Sequence, residues 1–174
     1  MLQLILGGAR SGKSRLAEQI AKDSKLTVTY VATAQIWDDE MRDRIDHHQA
    51  QRPQEWQLIE EPLYLAECLQ RIDQNAPETG QVILVDCLTL WMSNLLMNED
   101  QNLQLAECQK LLAVLPTLKS EIILVSNETG LGVVPMGEIT RKFVDESGRL
   151  HQQLGQISDK VMFCVAGFPM ILKG

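Results

Sequence analysis

Short apolar runs rich in β-branched residues alternate along the chain with longer segments in which apolar residues recur at helical spacing. The short runs predict five strands, at residues 2–6, 26–32, 82–85, 122–125 and 161–165. The longer segments predict six helices, at residues 13–22, 37–49, 63–73, 88–97, 103–115 and 138–154. This alternation favours an α/β fold, with a mostly parallel central sheet and helices on both of its faces.

The segments that connect these elements are short, and none is long enough to act as an interdomain linker. A chain of 174 residues has the length of one domain, so we expect residues 1–174 to form a single unit. No apolar run reaches the roughly 18 residues that a membrane span requires, and the N-terminus lacks the features of a signal peptide. We therefore expect a cytoplasmic protein without a membrane span.

Charge and cysteine content narrow the range of partners. The 23 acidic residues outnumber the 16 Lys and Arg residues and give a formal net charge of −7. Such a chain has no general electrostatic attraction to nucleic acid, so we expect no nucleic-acid partner and any phosphate to be held by local contacts. Four widely spaced cysteines show no zinc-ligand spacing and are predicted to be free thiols: Cys68, Cys87, Cys108 and Cys164.

The most specific motif follows the first predicted strand and opens the first predicted helix. It is a complete G-x-x-x-x-G-K-S phosphate-binding loop, formed by Gly7, Gly8, Ala9, Arg10, Ser11, Gly12, Lys13 and Ser14. Its glycines let backbone N–H groups face an anion, and the helix dipole adds to the attraction. The motif predicts that Lys13 reaches the β- and γ-phosphates of a nucleoside triphosphate and that the Ser14 hydroxyl holds Mg²⁺. The flanking strand and helix disfavour the alternative, a chance glycine-rich turn.

A second nucleotide-binding element is predicted where residues 81–86 form a strand that ends on a carboxylate. Asp86 suits a water molecule bound to Mg²⁺. The alternative is that Asp86 caps the helix that follows it. The phosphate loop elsewhere in the chain favours the first interpretation.

Two adjacent histidines, His47 and His48, lie in a charged segment that is predicted to be helical. His48 shares a helical stripe with apolar residues, whereas His47 shares its stripe with charged ones and is predicted to be accessible. A neutral imidazole can attack phosphorus, and Asp43 or Glu40 is placed to orient the ring, which makes His47 the better candidate nucleophile. On the residues alone, a solvated helix that carries two histidines by coincidence is the simpler interpretation.

Two polar residues, Asn127 and Glu128, follow the fourth predicted strand and precede a glycine-rich segment. Ligands of parallel sheets bind beyond the carboxyl ends of the strands, so both side chains are candidates to contact the γ-phosphate or the acceptor. A structural turn fits the same spacing. Three basic residues farther along the chain fit a phosphate clamp or a solvated helix face: Arg141, Lys142 and Arg149.

These motifs occur in an order that resembles one family from nearly end to end. Besides the phosphate loop, the residues that carry the resemblance are the run Tyr30, Val31, Ala32, Thr33 and Ala34, the run Arg44, Ile45, Asp46, His47 and His48, then Arg52, Pro53 and Trp56, then Asn127, Glu128, Gly130, Gly132 and Pro135, and finally Phe143, Asp145, Gly148 and Arg149. The set resembles the bifunctional adenosylcobinamide kinase and adenosylcobinamide-phosphate guanylyltransferase family of cobalamin biosynthesis. Many families share the phosphate loop, whereas the whole ordered set is specific to this one.

The resemblance implies a P-loop NTPase fold, a RecA-like three-layer sandwich, and two successive reactions on one acceptor. Adenosylcobinamide is first phosphorylated on its aminopropanol hydroxyl by GTP or ATP with Mg²⁺. The resulting phosphate then receives GMP from GTP, through a guanylylated histidine, to give adenosylcobinamide-GDP. The resemblance places that histidine at His47, the residue that the facing argument also selects, and implies a homo-oligomer whose neighbouring subunits form the substrate cleft.

The resemblance also implies nucleotide contacts outside the phosphate loop. They fall on Ala32, Thr33 and Ala34, on Gln49, Ala50, Gln51 and Arg52, and on the carboxylates of Glu60 and Asp86. Because Glu60 and Glu61 are adjacent, the assignment of the first carboxylate can move from Glu60 to Glu61. Asp86 stands where some relatives have glutamate, which leaves a carboxylate in place. His151 stands where asparagine is common, outside the implied chemistry.

Two other functions fit the phosphate loop without the remaining motifs. A simple small-molecule kinase would use the loop without His47 and would form no covalent nucleotide intermediate. A nucleotide-switched binding module would hydrolyse its nucleotide slowly and would turn over no corrinoid. The ordered motif set favours the bifunctional enzyme.

Overall fold

The computed structural model describes residues 1–35, 53 and 55–174. The strands in this part of the chain are β1 (Leu2–Gly7), β2 (Thr27–Ala32), β3 (Gln57–Glu60), β4 (Gln81–Asp86), β5 (Glu121–Asn127), β6 (Lys160–Val165) and β7 (Phe168–Lys173). The α-helices are α1 (Lys13–Asp23), α2 (Leu65–Gln74), α3 (Leu88–Leu96), α4 (Leu103–Val114) and α5 (Glu138–Ile157). The predicted helix at residues 37–49 lies outside the described residues.

All seven strands pair in one sheet, in the order β3-β2-β4-β5-β1-β6-β7. Every pair is parallel except β6 and β7, which run antiparallel at one edge. The carboxyl ends of six strands therefore meet at the same edge of the sheet. The mostly parallel sheet that the sequence predicts is confirmed.

Helices cover both faces of this sheet. On one face, buried residues of α2, α3, α4 and α5 pack against alternate strand residues such as Leu4 and Leu124. On the other face, Ala17 and Ala21 of α1 pack against the intervening residues, such as Ile5. Because the central strands are buried on both sides, they read in the sequence as continuous apolar runs.

The structure adds two strands that the sequence analysis did not predict, β3 and β7, which form the two edges of the sheet. Three of the four residues in β3 and all six in β7 are exposed, so neither segment carries the burial signal of an interior strand. The predicted strands and described helices are confirmed with ends that shift by up to three residues. The largest shift is in α5, which continues past residue 154 to Ile157.

The four cysteines are buried and free, as predicted. Within the described ranges, no helix combines the length and the apolar character that a membrane crossing requires.

Candidate nucleotide-binding site

The phosphate loop connects the end of β1 to the start of α1. Gly12, the residue before the helix, has φ 93°, a left-handed conformation that residues with a Cβ adopt only with strain. The start of α1 receives no side-chain capping bond, and its first turn contains no acidic residue. The first backbone N–H groups of the helix are therefore free to bind an anion, where the helix dipole is positive.

The loop is held from outside by the turn between β6 and β7. The N–H of Gly167 donates to the carbonyl of Ser11 at 2.8 Å, and a Cβ on Gly12 would lie 3.1 Å from Gly167 Cα. At the start of the loop, a Cβ on Gly7 would lie 2.5 Å from Ser11 Oγ and 2.8 Å from the Cys164 carbonyl oxygen. Glycine is therefore required at both positions.

Lys13 is drawn into the loop. Its side chain is 8% exposed, and Nζ donates to the carbonyl of Gly8 at 3.1 Å. An ammonium group has three donors, so this contact leaves others for phosphate oxygens. Burial, and after it the Asp86 carboxylate, raises the pKa of the Cys87 thiol to about 11, whereas the Lys13 ammonium acts in the opposite direction. Both charges therefore act on the same thiol, which places Lys13 and Asp86 in one neighbourhood.

The ends of β2, β3 and β4 form the neighbouring part of this edge. The strand register pairs Ala32 with Glu60 on one side and with Asp86 on the other. Thr33 comes next and is completely buried. Its Oγ1 donates to the Cys87 carbonyl at 2.7 Å and accepts from the Cys87 N–H at 3.0 Å. The hydrogen-bonding capacity of the Thr33 side chain is thus used to join β2 to the start of α3.

The two adjacent glutamates have different roles. Glu61 Oε1 accepts hydrogen bonds from the N–H groups of Leu63 at 3.0 Å and Tyr64 at 2.8 Å, just before α2. Glu60 ends β3 with an exposed side chain. The carboxylate that is available to a ligand at this position is therefore that of Glu60.

Asp86 lies half-buried at the end of β4. The helix that follows has Cys87 as its N-cap and receives no side-chain capping bond, so the capping role considered for Asp86 is not observed. Mg²⁺ in nucleotide sites takes one or two protein oxygens and completes its shell with phosphates and water. Asp86 and the half-buried Ser14 hydroxyl fit that donor set. Across the described ranges there is no cluster of three His, Cys, Asp or Glu residues of the kind an all-protein metal site needs.

The structure separates the roles of Asn127 and Glu128. One oxygen of Glu128 accepts the N–H of Gly130, which is the turn interpretation of this residue. Asn127 pairs in register with Gly7, and its Oδ1 is buried without a hydrogen-bond donor among the described residues.

Two of the three predicted basic residues, Arg141 and Arg149, have partners within the chain. Arg141 donates to the carbonyls of Pro135 and Met136, and Arg149 pairs with Glu146. These two contacts favour a structural role over a phosphate clamp.

Several predicted site residues cannot be placed. His47, His48, Gln49, Ala50, Gln51 and Arg52 lie outside the described residues, and their roles stay predictions. Two contacts that shape the site were not predicted from the sequence, the Thr33–Cys87 pair and the contact of Gly167 with the loop. The sequence did contain a signal for the turn that brings Gly167 to the loop. Ala166 and Gly167 separate two apolar runs, as the residues of a two-residue hairpin turn do.

Comparison with known families assigns the chain to one of them. The model of the cobinamide kinase / cobinamide phosphate guanyltransferase family matches residues 3–172. The chain belongs to this family. Membership confirms the resemblance seen in the sequence and makes the protein an enzyme of the kinase and guanylyltransferase class.

Two curated relatives are similar to this chain over 98% and 100% of their own lengths. CobP of Pseudomonas aeruginosa, described as a bifunctional adenosylcobalamin biosynthesis protein, is 55% identical over 174 residues, covering 100% of this chain and 98% of the relative. CobU of Escherichia coli carries the same description and is 38% identical over 186 residues, covering 99% of this chain and 100% of the relative.

Solved structures share the fold at low sequence identity. The RadB recombinase superposes with a TM-score of 0.54 at 18% identity, covering 93% of this chain and 73% of its own. The PH0250 protein of Pyrococcus horikoshii gives 0.59 at 11% identity, covering 99% and 86%. The P4 protein of bacteriophage phi6, in complex with ADP, gives 0.51 at 13% identity, covering 97% and 52%. These likenesses concern the fold alone and confirm a RecA-like fold with a mostly parallel sheet.

Proposed function

We propose that this chain phosphorylates adenosylcobinamide with a nucleoside triphosphate and then transfers GMP from GTP to the product, giving adenosylcobinamide-GDP. The observation that carries the proposal is the uncapped start of α1 with Lys13 buried beside it, in a chain of the cobinamide kinase and guanyltransferase family. Membership supplies the reaction class, and the loop supplies the site for the nucleotide phosphates.

In the first reaction the aminopropanol hydroxyl attacks the γ-phosphorus of GTP or ATP, and the nucleoside diphosphate leaves. The N–H groups at the start of α1 and the Lys13 ammonium stabilise the negative charge on the transferred group, because phosphoryl transfer depends mainly on positioning and electrostatics. Mg²⁺, when bound, supplies further charge neutralisation, and Ser14 and Asp86 are the residues that would hold it.

In the second reaction an imidazole nitrogen of His47 attacks the α-phosphorus of GTP, and pyrophosphate leaves. The histidine then carries GMP through a P–N bond, as in other nucleophilic mechanisms that divide one transfer into two. A phosphate oxygen of adenosylcobinamide phosphate attacks the same phosphorus and releases the histidine. The mechanism predicts ping-pong kinetics for this half of the activity.

Four further residues of the described edge are proposed to contact the guanine nucleotide together with Asp86: Ala32, Thr33, Ala34 and Glu60. Because the Thr33 hydroxyl is engaged with Cys87, a contact from residues 32–34 would use backbone atoms or methyl groups. Gln49, Ala50, Gln51 and Arg52 are proposed contacts on the implication of the sequence resemblance.

Two exposed apolar surfaces support the remaining parts of the proposal. The segment between β5 and α5 exposes large apolar side chains on the carboxyl side of the sheet, among them Val133 and Met136 at 95% each, which suits a large amphipathic acceptor. All six residues of β7, the outermost strand of the sheet beside β6, are exposed. This exposed strand supports a homo-oligomer. The pairing of all seven strands of the described residues in one sheet supports a single domain over residues 1–174. A cytoplasmic location and the lack of a nucleic-acid partner stay predictions.

Covalent labelling tests the guanylyl-histidine step directly. The native chain, His47→Ala and His48→Ala are incubated with Mg²⁺ and GTP labelled at the α-phosphate, then denatured. We expect acid-labile label on the native and His48→Ala proteins and none on His47→Ala. Absence of label from all three, under conditions where GTP binding is demonstrated, would remove the transferase half and leave a kinase or a switch.

A further inference from the structure

A network of hydrogen bonds fastens α5 to the carboxyl end of β5. The Asn127 N–H donates to Thr89 Oγ1 at 2.6 Å, and Thr89 Oγ1 lies 3.2 Å from Ser126 Oγ. Ser126 Oγ in turn lies 2.8 Å from His151 Nε2 of α5. The helix leads from the carboxyl end of β5 back to the start of β6. Since it begins at Glu138 and rises about 1.5 Å per residue, its first part extends roughly 20 Å beyond this contact, past the strand ends.

An open groove of about 350 Å³ lies along this part of α5, and the residues that line it are Val144, Asp145, Gly148, Arg149 and Gln152. A Cβ on Gly130 would lie 4.0 Å from Val144 Cγ1, so the groove begins beside the segment that follows β5. That segment starts at Glu128, whose N–H donates to the Gly7 carbonyl of the phosphate loop at 3.0 Å. One continuous surface therefore leads from the phosphate loop to the groove.

Gly148 lies inside α5, between the other lining residues of the groove. A Cβ at this position would meet no atom of the described residues within 4 Å, so none of their contacts requires glycine there. Glycine in the interior of a helix is destabilising relative to alanine. Gly148 is also one of the residues that carry the family resemblance, and the nucleotide chemistry gives it no role. The open space at Gly148 therefore indicates room for a ligand.

The polar side chains of the groove suit uncharged amide groups. Asp145 accepts hydrogen bonds, Arg149 donates them, and Gln152 does both. Asp145 and Gln152 are exposed and have no hydrogen bond or ion pair in the described part of the chain. Arg149 has one contact, with Glu146, which leaves further donors. The charges of Asp145 and Arg149 cancel, so the groove has no net attraction to phosphate, whereas a primary amide can pair with all three side chains.

We propose that the groove on α5 binds the corrin ring of the acceptor. The ring of adenosylcobinamide is an apolar macrocycle bordered by primary amides. Its amides contact Asp145, Arg149 and Gln152. Its edge lies against Val144, in the space beside Gly148, and the aminopropanol arm follows the continuous surface toward the phosphate loop. This inference rests on the proposed function, because it takes adenosylcobinamide as the acceptor.

Equilibrium binding to variants of the two α5 glycines tests the groove. Dissociation constants are measured for adenosylcobinamide and, separately, for a non-hydrolysable GTP analogue. Gly148→Leu fills the groove, whereas Gly155→Leu adds the same side chain at a second open glycine of α5 that does not line it. We expect Gly148→Leu to weaken adenosylcobinamide binding at least about tenfold by steric exclusion and to leave analogue binding unchanged. Gly155→Leu should change neither constant.

A pair of glutamines tests the amide contacts and decides the question if Gly148→Leu does not fold. Gln152→Ala should weaken adenosylcobinamide binding by about fivefold, the effect of one neutral hydrogen bond. Gln153→Ala is the matched control, because Gln153 is the adjacent exposed glutamine and does not line the groove. We expect it to bind both ligands as the native chain does.

The outcomes separate this inference from the proposed function. A native chain that does not bind the GTP analogue, or that forms no adenosylcobinamide phosphate, contradicts both. If the native chain does both, unchanged adenosylcobinamide affinity in Gly148→Leu and Gln152→Ala overturns the inference alone. An equal loss of affinity in the two control variants overturns it as well. A change of mass in Gly148→Leu alone, measured by sedimentation, would assign the groove to a second copy of the chain and would also overturn the inference.

Discussion

Two neighbouring regions lie at the edge of the sheet where the carboxyl ends of the strands meet. They differ in whether their buried polar atoms have hydrogen-bond partners. At the ends of β2 and β4, Thr33 exchanges two hydrogen bonds with Cys87, and Asn94 donates to the Thr33 carbonyl at 2.8 Å. At the ends of β1 and β5, Ser11 Oγ and Asn127 Oδ1 are buried without donors in the described structure. Buried polar groups normally have hydrogen-bond partners. In the first region, around Thr33 and Cys87, these partners lie within the chain, and we call it the closed region. The second region, around Ser11 and Asn127, leaves two buried oxygens for a ligand, and we call it the prepared region.

A shared position at the edge of a sheet therefore does not imply a shared role. Thr33 follows the last residue of β2, and Asn127 is the last residue of β5, so both lie where ligands of such folds bind. Asn127 Oδ1 is buried without a donor among the described residues, whereas the Thr33 hydroxyl already donates one hydrogen bond and accepts another. Substitutions in the two regions should therefore change different measurable properties.

The largest expected effect is that of Lys13→Ala in the prepared region. Loss of an ammonium group that stabilises the transferred phosphoryl should lower kinase turnover by on the order of 10²- to 10³-fold. Lys22→Ala is the matched control, because Lys22 is an exposed lysine in the last turn of the same helix. Measurement of adenosylcobinamide phosphate formation decides the matter, and comparable rates for the two variants would show that Lys13 has no role in the transfer.

The closed region should respond through stability. Thr33→Val leaves the Cys87 N–H without its acceptor and removes one of the two donors to the Cys87 carbonyl, which keeps the Trp91 N–H. This change should lower the free energy of unfolding by about 1–3 kcal/mol. Thr27→Val, at an exposed position of the same strand, should change it by less than about 0.5 kcal/mol. Urea unfolding with and without GTP measures both. A Thr33→Val protein of native stability that no longer binds GTP would reverse the roles assigned to the two regions.

The smallest expected effect is a pH dependence that links the network behind Asn127 to folding. Burial lowers the pKa of His151 from its ordinary value of 6.5. The unfolded chain therefore takes up this proton at a higher pH than the native protein does. Stability is full above pH 6.5 and falls as the pH drops from there through the lowered native pKa. In His151→Asn this contribution should be absent.

Unfolding free energies at about pH 7.5 and about pH 5.5 measure this dependence. The native chain should lose more stability than His151→Asn over the interval, and the difference isolates His151 from the other titrating groups. Identical losses would show that His151 titrates alike in the folded and unfolded chains.

The parts of the fold that could be predicted are those whose signal lies close together in the sequence. The phosphate loop is one continuous motif between an apolar run and a helical pattern, and contacts of the loop and its surroundings require glycine at positions 7 and 12. The central strands are buried on both faces and read as apolar runs. β7 is exposed along its whole length, so burial could not reveal it, although the turn at Ala166 and Gly167 could.

The parts that could not be predicted depend on strand register. Thr33 and Cys87 are 54 positions apart, and Ser126 and His151 are 25 apart. Nothing in the local pattern around either pair indicates a contact, because each forms only when the sheet order and the helix packing bring the residues together. For the same reason the sequence treated Asn127 and Glu128 as a unit, whereas the structure engages Glu128 in a turn.

An assay of both products from one chain carrying His47→Ala separates the two reactions. Adenosylcobinamide, Mg²⁺ and GTP are supplied, and adenosylcobinamide phosphate and adenosylcobinamide-GDP are quantified, with the native chain and His48→Ala alongside. We predict that the native and His48→Ala proteins reach adenosylcobinamide-GDP, whereas His47→Ala stops at adenosylcobinamide phosphate, because the phosphate loop acts without the histidine. A natively folded His47→Ala protein that forms adenosylcobinamide-GDP, or that forms neither product, would contradict the account.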